Sequence, residues 1–520
     1  MPESSRAPSE ESVSPPDPRR WKALAVIATA QLMVVLDATI VNIALPSAQA
    51  DLGISTAHRQ WVITAYALAF GGLLLFGGRV ADLWGRKRTF ITGLLGFAVA
   101  SALGGAATEP AMLFGSRALQ GVFGALLAPS ALSLLAITFR DGKDRAKAFG
   151  IYGAIAGGGG AIGLILGGLL TEYLDWRWTF FVNIPFAAVA VLGAWAVIRE
   201  PRSARNRSSL DIPGVVLATL GLVSLVYGFT RAESHSWTET LTLGLFAATV
   251  VLLGSFVAVE SRVRAPLLPL RVVADRNRGG VYLSLGLAII AMFGLFLFLT
   301  YYLQVVKGYA PVRTGVAFLP MITGMIVGST QIGARLMTRV RPRLLMGPGF
   351  LVAALGMLVL TRLETDSSYV SLILPAQLLL GLGMGSAFMP AMSLATLGVR
   401  PQDAGVASAM INTSQQVGGA VGTALLNTVA AGATTAYVTD HLASAGASPQ
   451  ARKLVMLNGM VEGYTTAIWW AVGILLMAAV LASTLITTRG QGAPAPVGRS
   501  GTDAPESDAS EEEIPLAVMH

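Results

Sequence analysis

Fourteen apolar runs, most of them near the length of a bilayer crossing, follow one another along this chain with short polar loops between them. A helix of about 20 apolar residues spans the hydrocarbon core of a membrane. The runs lie at 23–46, 61–81, 89–107, 110–139, 146–174, 178–198, 212–230, 240–259, 279–306, 314–338, 344–361, 369–398, 405–432 and 466–487. The stretch 433–464 is polar enough to read as a loop. Only 13% of the residues are charged, and mean hydropathy is +0.63. Soluble domains carry about 25% charged residues. The chain is therefore expected to be an all-α polytopic membrane protein.

A net charge of +8 could suggest nucleic acid, but the basic residues sit in short loops between apolar runs. They read as topology determinants, because loops rich in Lys and Arg stay cytoplasmic. An even number of spans then places both termini in the cytoplasm. The first run is too long for the apolar core of a cleaved signal peptide. Residues 1–20 and 490–520 are polar and are expected to be disordered cytoplasmic tails. The Arg-biased, Ala- and Gly-rich composition points to a bacterial source, and so to a plasma (inner) membrane.

The chain has no Cys, which excludes disulfides, thiolate catalysis and Cys-ligated metal. Its four His (His58, His235, His441 and His520) show no metal-binding spacing. No Walker-type phosphate loop is present. The expectation is a protein that is not an enzyme, with neither metal nor cofactor.

One loop between apolar runs reads Gly78-Arg79-Val80-Ala81-Asp82-Leu83-Trp84-Gly85-Arg86-Lys87-Arg88. Gly78 lets a helix end pack closely, Asp82 can pair with a cation, and Gly85 permits a tight turn. Inside the spans of the first half, charge stands out at Asp37 and Arg117. Charge within a bilayer costs about 2.5–3.5 kcal/mol or more and commonly serves function. Arg117, Gln120, Gly121 and Gly124 fall at i, i+3, i+4 and i+7, on one helical face. Two readings of Asp37 with Arg117 stay open, a structural ion pair between helices and a carboxylate that loads and releases a proton; direct substrate contact is a third. Gly159, Gly163 and Gly167 form a small-xxx-small ridge for helix packing. An internal repeat at an offset of 260 aligns Arg117, Gly121 and Arg140 with Gln377, Gly381 and Arg400. Repeats often bracket the substrate site of a transporter.

Several of these stretches resemble one family. The loop spacing G-x-x-x-D-x-x-G-R-K resembles the gating loop between helices 2 and 3 of the major facilitator superfamily, with Leu83 where that family often has Arg. Leu36-Asp37-Ala38-Thr39-Ile40-Val41-Asn42-Ile43-Ala44-Leu45-Pro46 resembles the first-helix motif of its 14-helix drug:proton antiporters. Arg117-x-x-Gln120-Gly121 resembles the helix 4 motif linked there to proton coupling. Trp176-Arg177-Trp178-Thr179-Phe180-Phe181-Val182-Asn183-Ile184-Pro185 and Asp403-Ala404-Gly405-Val406-Ala407-Ser408 resemble two further motifs of that branch. In the fifth span, Gly160 and Leu164 stand where the antiporters have Pro.

The resemblance implies a major facilitator fold of 14 transmembrane helices arranged 6 + 2 + 6. Its parts would be 21–200 and 279–489 as two six-helix halves, with 201–278 holding an inserted pair and connectors. It implies a proton-coupled antiporter exporting amphipathic small molecules such as drugs or antibiotics, acting as a monomer in the lipid bilayer without nucleic acid. The proton gradient would be the energy source. Asp37, Arg117 and Gln120 would serve proton coupling, and Gly78, Asp82, Gly85, Arg86 and Lys87 a cytoplasmic gate. Candidates for the substrate cavity are Tyr66, Tyr152, Gln304, Gln331, Met384, Met389, Asn412, Gln415 and Trp469, since aromatic, Met and amide side chains repack around varied ligands. The alternatives are a proton-coupled importer of a small metabolite on the same fold, and a channel or receptor-like membrane protein.

Overall fold

A computed structural model describes residues 18–487, except 57, 140–141, 199–210, 264–265, 338, 397–398, 400–403 and 444–447. The two expected tails, but for residues 18–20, fall outside the described residues, as do Arg140 and Arg400 of the repeat.

Among the described residues there are helices and no strands. In chain order they are α1 (Arg20–Leu52), α2 (Trp61–Trp84), α3 (Arg86–Gly105), α4 (Pro110–Thr138), α5 (Gly142–Tyr173), α6 (Trp178–Phe181) and α7 (Asn183–Val197). Then come α8 (Ile212–Ser234), α9 (Thr240–Glu260), α10 (Leu270–Val273), α11 (Arg276–Tyr301), α12 (Pro311–Ala317) and α13 (Leu319–Val327). The last four are α14 (Arg343–Leu360), α15 (Leu374–Thr396), α16 (Ala404–Leu442) and α17 (Pro449–Leu485). Short π-helical turns extend α11 and α13 and precede α15. Counted over the described residues, 12 helices are long and apolar enough to cross a membrane, and two shorter apolar helices lie at Trp61–Leu74 and Gly159–Tyr173.

The helix ends follow local chemistry. Pro110, Pro311 and Pro449 each open a helix, where a missing N–H is no loss. Asp211 caps α8 by accepting from the Gly214 amide at 2.9 Å. Gly53 ends α1 in the left-handed region at φ 63°. Gly85 joins α2 to α3 with φ 109° and ψ 134°, a conformation that only glycine adopts freely.

The first helices form one packed group, with α4 against α2 and α3, and α1 against α5 and α7. A second group packs α14 against α15 and α17, and α11 against α16 and α17. Helices α8 and α9 pack on each other and bury least of all the spans. The repeat has a geometric counterpart. A Cβ on Gly121 would meet the Tyr66 carbonyl oxygen at 2.4 Å, and one on Gly381 would meet that of Met321 at 2.0 Å. Each glycine thus lies against the backbone of the neighbouring helix, α2 or α13, as small-residue packing in membranes favours. Gly77 is equally tight, since its Cβ would sit 1.9 Å from the Ala125 carbonyl oxygen. Gly77→Ala is expected to cost about 3 kcal/mol through overpacking and to lower the melting temperature of the purified protein. Gly244→Ala, where nothing lies within 4 Å of the new Cβ, should leave it unchanged.

One expected loop is corrected. The stretch 433–464 is mostly helical, because α16 continues to Leu442 and α17 begins at Pro449. Polarity misled the reading, since the two helices keep packing past the apolar runs. Gly459 lies against Val438 and Tyr437, and Gly463 against Ala430 and Thr434. The expected span 178–198 corresponds to one apolar stretch, Trp178–Val197, in which Val182, itself with helical dihedrals, lies between α6 and α7.

Candidate functional site

Four helices bring polar groups to one point inside the first group. Asp37 lies mid-way along α1, Ser101 near the end of α3, Arg117 and Gln120 on α4, and Asn183 at the start of α7. All five are buried, and Asp37, Ser101, Gln120 and Asn183 have no exposed surface. The i, i+3 spacing on α4 turns Arg117 and Gln120 the same way.

Arg117 Nη1 donates to Asp37 Oδ2 at 2.7 Å and to Gln120 Oε1 at 2.7 Å. The other carboxylate oxygen, Oδ1, accepts from Gln120 Nε2 at 2.8 Å and from Asn183 Nδ2 at 2.9 Å. Ser101 Oγ accepts from Gln120 Nε2 at 2.7 Å. Arg117 is held in turn by the Val62 carbonyl, which accepts from its Nε at 2.8 Å. Its guanidinium lies 4.4 Å from the centre of the Tyr66 ring, a cation–π contact.

The electrostatics of this cluster are one-sided. Every group bonded to Asp37 is a donor, which suits a carboxylate and not a protonated acid. A proton on Asp37 would face N–H groups on both oxygens, and at least one of them would have to turn or withdraw. Protonation state and side-chain geometry are thereby linked. Gln120 joins both ends, accepting from Arg117 and donating to Asp37.

Sequence reasoning picked out Asp37, Arg117 and Gln120, and the structure brings the three together. It missed Ser101, Asn183 and the Val62 carbonyl as their partners. Asn183 stood in a quoted motif without a role, and Ser101 had no signal beyond a small polar residue in an apolar helix. Of the cavity candidates, Tyr66 is the ring under Arg117, Tyr152 donates to Gln31 Oε1 at 2.6 Å, and Gln304 donates to the Ile43 carbonyl at 3.0 Å. Met384 is buried and Gln415 half-buried, while Gln331, Met389, Asn412 and Trp469 are exposed. Gly159, Gly163 and Gly167 all face α1, lying against Val35, Thr39 and Ile40.

In the basic loop, Lys87 Nζ donates to the Trp195 and Ile198 carbonyls at 3.0 and 2.6 Å, holding α3 to the end of α7. Arg79 Nη2 donates to the Pro266 carbonyl at 2.5 Å. Gly78 approaches Pro129, and Arg86 is half-buried. The Asp82 side chain lies outside the described residues.

A second buried arginine went unnoticed because it sits in a turn rather than an apolar run. Arg59, only 3% exposed, donates to Asn427 Oδ1 at 3.2 Å and lies 4.0 Å from the centre of the Tyr301 ring. Asn427 donates to Gln60, and Tyr301 donates to Gln49. With the Gln304 bond to Ile43 and the Val312 amide bond to Glu172, these contacts tie the two helical groups together at the end opposite the basic loop.

The Major Facilitator Superfamily profile matches residues 27–423. A puromycin resistance protein of Streptomyces alboniger is 57% identical over 480 residues, covering 92% of this chain and 93% of its own. A cephamycin export protein of Amycolatopsis lactamdurans is 41% identical, covering 78% of this chain and 84% of its own. Among solved structures, a bacterial homologue of the human lysosomal transporter Spinster, inward-facing and unoccupied, aligns with a TM-score of 0.62 at 16% identity, covering 90% of this chain and 97% of that one. The shared fold, the extent of the profile match and the identity to these relatives together establish that the chain belongs to the Major Facilitator Superfamily, as a membrane transporter and not an enzyme.

Proposed function

We propose that this transporter is a proton-coupled antiporter that exports amphipathic small molecules, with antibiotics as its substrates. The observation that carries this reading is Asp37, a carboxylate buried at the meeting point of four helices and surrounded by hydrogen-bond donors alone. In the cycle, a proton reaching Asp37 loosens its bond to Arg117, and the loosened helices pass from one access state to the other. Return of Arg117 expels the proton as the cycle resets. Gln120 shares both partners and keeps them in register. The relatives named for resistance to puromycin and export of cephamycin support the direction and the substrate class.

The same reading takes the helical rods as 14 spans arranged 6 + 2 + 6. Residues 21–200 and 279–489 then form the halves, and α8 with α9 the inserted pair within 201–278. The loop at Gly78, Asp82, Gly85, Arg86 and Lys87 is the cytoplasmic gate, both termini are cytoplasmic, and the protein works as a monomer. Tyr66, Tyr152, Gln304, Gln331, Met384, Met389, Asn412, Gln415 and Trp469 remain its cavity candidates, Tyr66 also lying under the Arg117 guanidinium. The orientation has its own test in this Cys-free chain. On intact cells an impermeant thiol reagent should label Ser236→Cys, between α8 and α9, and leave Arg88→Cys unmodified. The reverse pattern would invert the topology.

Expression in a drug-hypersensitive bacterium should raise the inhibitory concentration of puromycin. Inside-out vesicles should accumulate it against a gradient, with proton efflux, until a protonophore is added. Accumulation that runs with the proton into the same compartment would establish an importer. Flow that is only ever downhill would establish a channel.

A further inference from the structure

Among the groups bonded directly to Asp37, one atom is left unexplained by its present bonding; the Tyr66 hydroxyl, in the ring under Arg117, is also buried without a partner among the described residues. Asn183 has no exposed surface, and its Oδ1 has no hydrogen-bond partner among the described residues, although its Nδ2 donates to Asp37 at 2.9 Å and lies 3.3 Å from Ser101 Oγ. Buried polar atoms are nearly always paired, so an orphan at such a point calls for a reason. A side-chain amide offers a donor and an acceptor at opposite corners, and half a turn about its last bond exchanges them. Here the donor faces the carboxylate, and the acceptor has no bond to lose in turning.

From this geometry we infer that Asn183 is a two-position switch that reads the protonation state of Asp37. When Asp37 is ionised, the Nδ2 group faces it. When Asp37 takes up a proton, its new O–H must find an acceptor, and the other groups bonded to it offer only N–H. Turning the Asn183 amide presents Oδ1 to that hydroxyl, so the acid donates and the amide accepts. No covalent bond changes in Asn183. Gln120 cannot take this part without breaking its bonds, because its Oε1 is held by Arg117 and its Nε2 by Asp37 and Ser101. The turn also carries Nδ2 away from Ser101 Oγ, so α7 gives up this contact with α3 while keeping its bond to α1. Asn183 is thus a positioning residue, acting through Asp37 and not on the transported molecule.

This inference rests on Asp37 being the proton carrier, and the test separates the two. Lipid-reconstituted protein is examined by infrared difference spectroscopy between two pH values, on parent, Asp37→Asn and Asn183→Leu. The parent should show the carbonyl stretch of a protonated carboxyl group, which Asp37→Asn abolishes. In Asn183→Leu that band should persist at a displaced frequency, because the hydroxyl has lost its acceptor. The rate of substrate-induced proton movement in vesicles should fall about tenfold, the scale of one lost hydrogen bond, and energy-independent substrate exchange should fall by less than that. A band at the parental frequency in Asn183→Leu overturns the switch and leaves the carrier standing. Exchange falling in step with proton movement also overturns it, since that marks a plain packing role. The absence of any band sensitive to Asp37→Asn in the parent overturns the carrier itself. If the leucine variant fails to fold, Asn183→Ala takes its place with the same expectations.

Discussion

Asp37→Asn will leave the transporter in the membrane at parental abundance and abolish its uphill export. The substituted amide keeps the size of the carboxyl group and one oxygen to accept from Arg117, while its NH₂ meets two donors: the Asn183 amide turns to accept from it, and Gln120 Nε2 falls back on its bond to Ser101 Oγ. What it loses is the capacity to take up and release a proton. The initial rate of proton-driven uptake in energised vesicles should drop at least about a hundredfold, equivalent to about 2.7 kcal/mol on the barrier. Substrate-induced proton movement should vanish with it. Exchange of labelled for unlabelled substrate across a de-energised membrane should stay within about twofold of the parent, because it needs reorientation and no net proton transfer. Proton-driven accumulation persisting in a well-expressed Asp37→Asn protein would falsify the coupling role.

Arg117→Ala attacks the same pair from the other side, with a different outcome. It removes the only cation bonded to Asp37, three side-chain bonds and the contact with the Tyr66 ring. Stranding one member of a buried ion pair is destabilising by about 3–5 kcal/mol. The expected result is a sharp fall in membrane abundance and in the melting temperature of what can be purified. Adding Asp37→Asn to Arg117→Ala takes away the stranded charge and should restore most of the abundance, because Gln120 and Asn183 still bond an amide at that point. Coupled export should not return in the double variant. If it did, the pair would be a structural tie between α1 and α4 and nothing more.

These residues also mark where the sequence could be read and where it could not. Asp37, Arg117 and Gln120 were legible because charge in an apolar run is conspicuous and because 3.6-residue periodicity turns positions 117 and 120 the same way. Ser101 and Asn183 were not, since nothing local distinguishes a serine or asparagine that meets a partner many residues away from one that caps its own helix. Arg59 was hidden by its setting in a turn, where basic residues are ordinarily solvated. The helices were found by hydropathy, which marks the parts of a rod suited to lipid and is blind to a rod that goes on beyond it. That is why 433–464 was read as a loop although glycines at 459 and 463 hold α17 against α16. The offset of 260 was legible as a repeat of Gly121 in Gly381, but its content was not. The counterpart of Arg117 is Gln377, buried without a bond to either amide atom among the described residues, so the duplicated position keeps a place in the packing without the charge.

That Asp37 is the one carboxylate without exposed surface among the described residues sets a thermodynamic ceiling. Under the proposed coupling, with Asp37 as the sole carrier, one proton moves per cycle. Return of one proton through a membrane potential of 100 mV releases about 2.3 kcal/mol, and a gradient of one pH unit adds about 1.4 kcal/mol. A neutral substrate draws on both and can be expelled to a ratio of about 500-fold. A monovalent cation exchanged for the same proton moves no net charge, so only the pH gradient drives it, to about tenfold. On the proposed coupling, the electrical half of the proton gradient is thus open to this transporter or closed to it according to the charge of the molecule it carries.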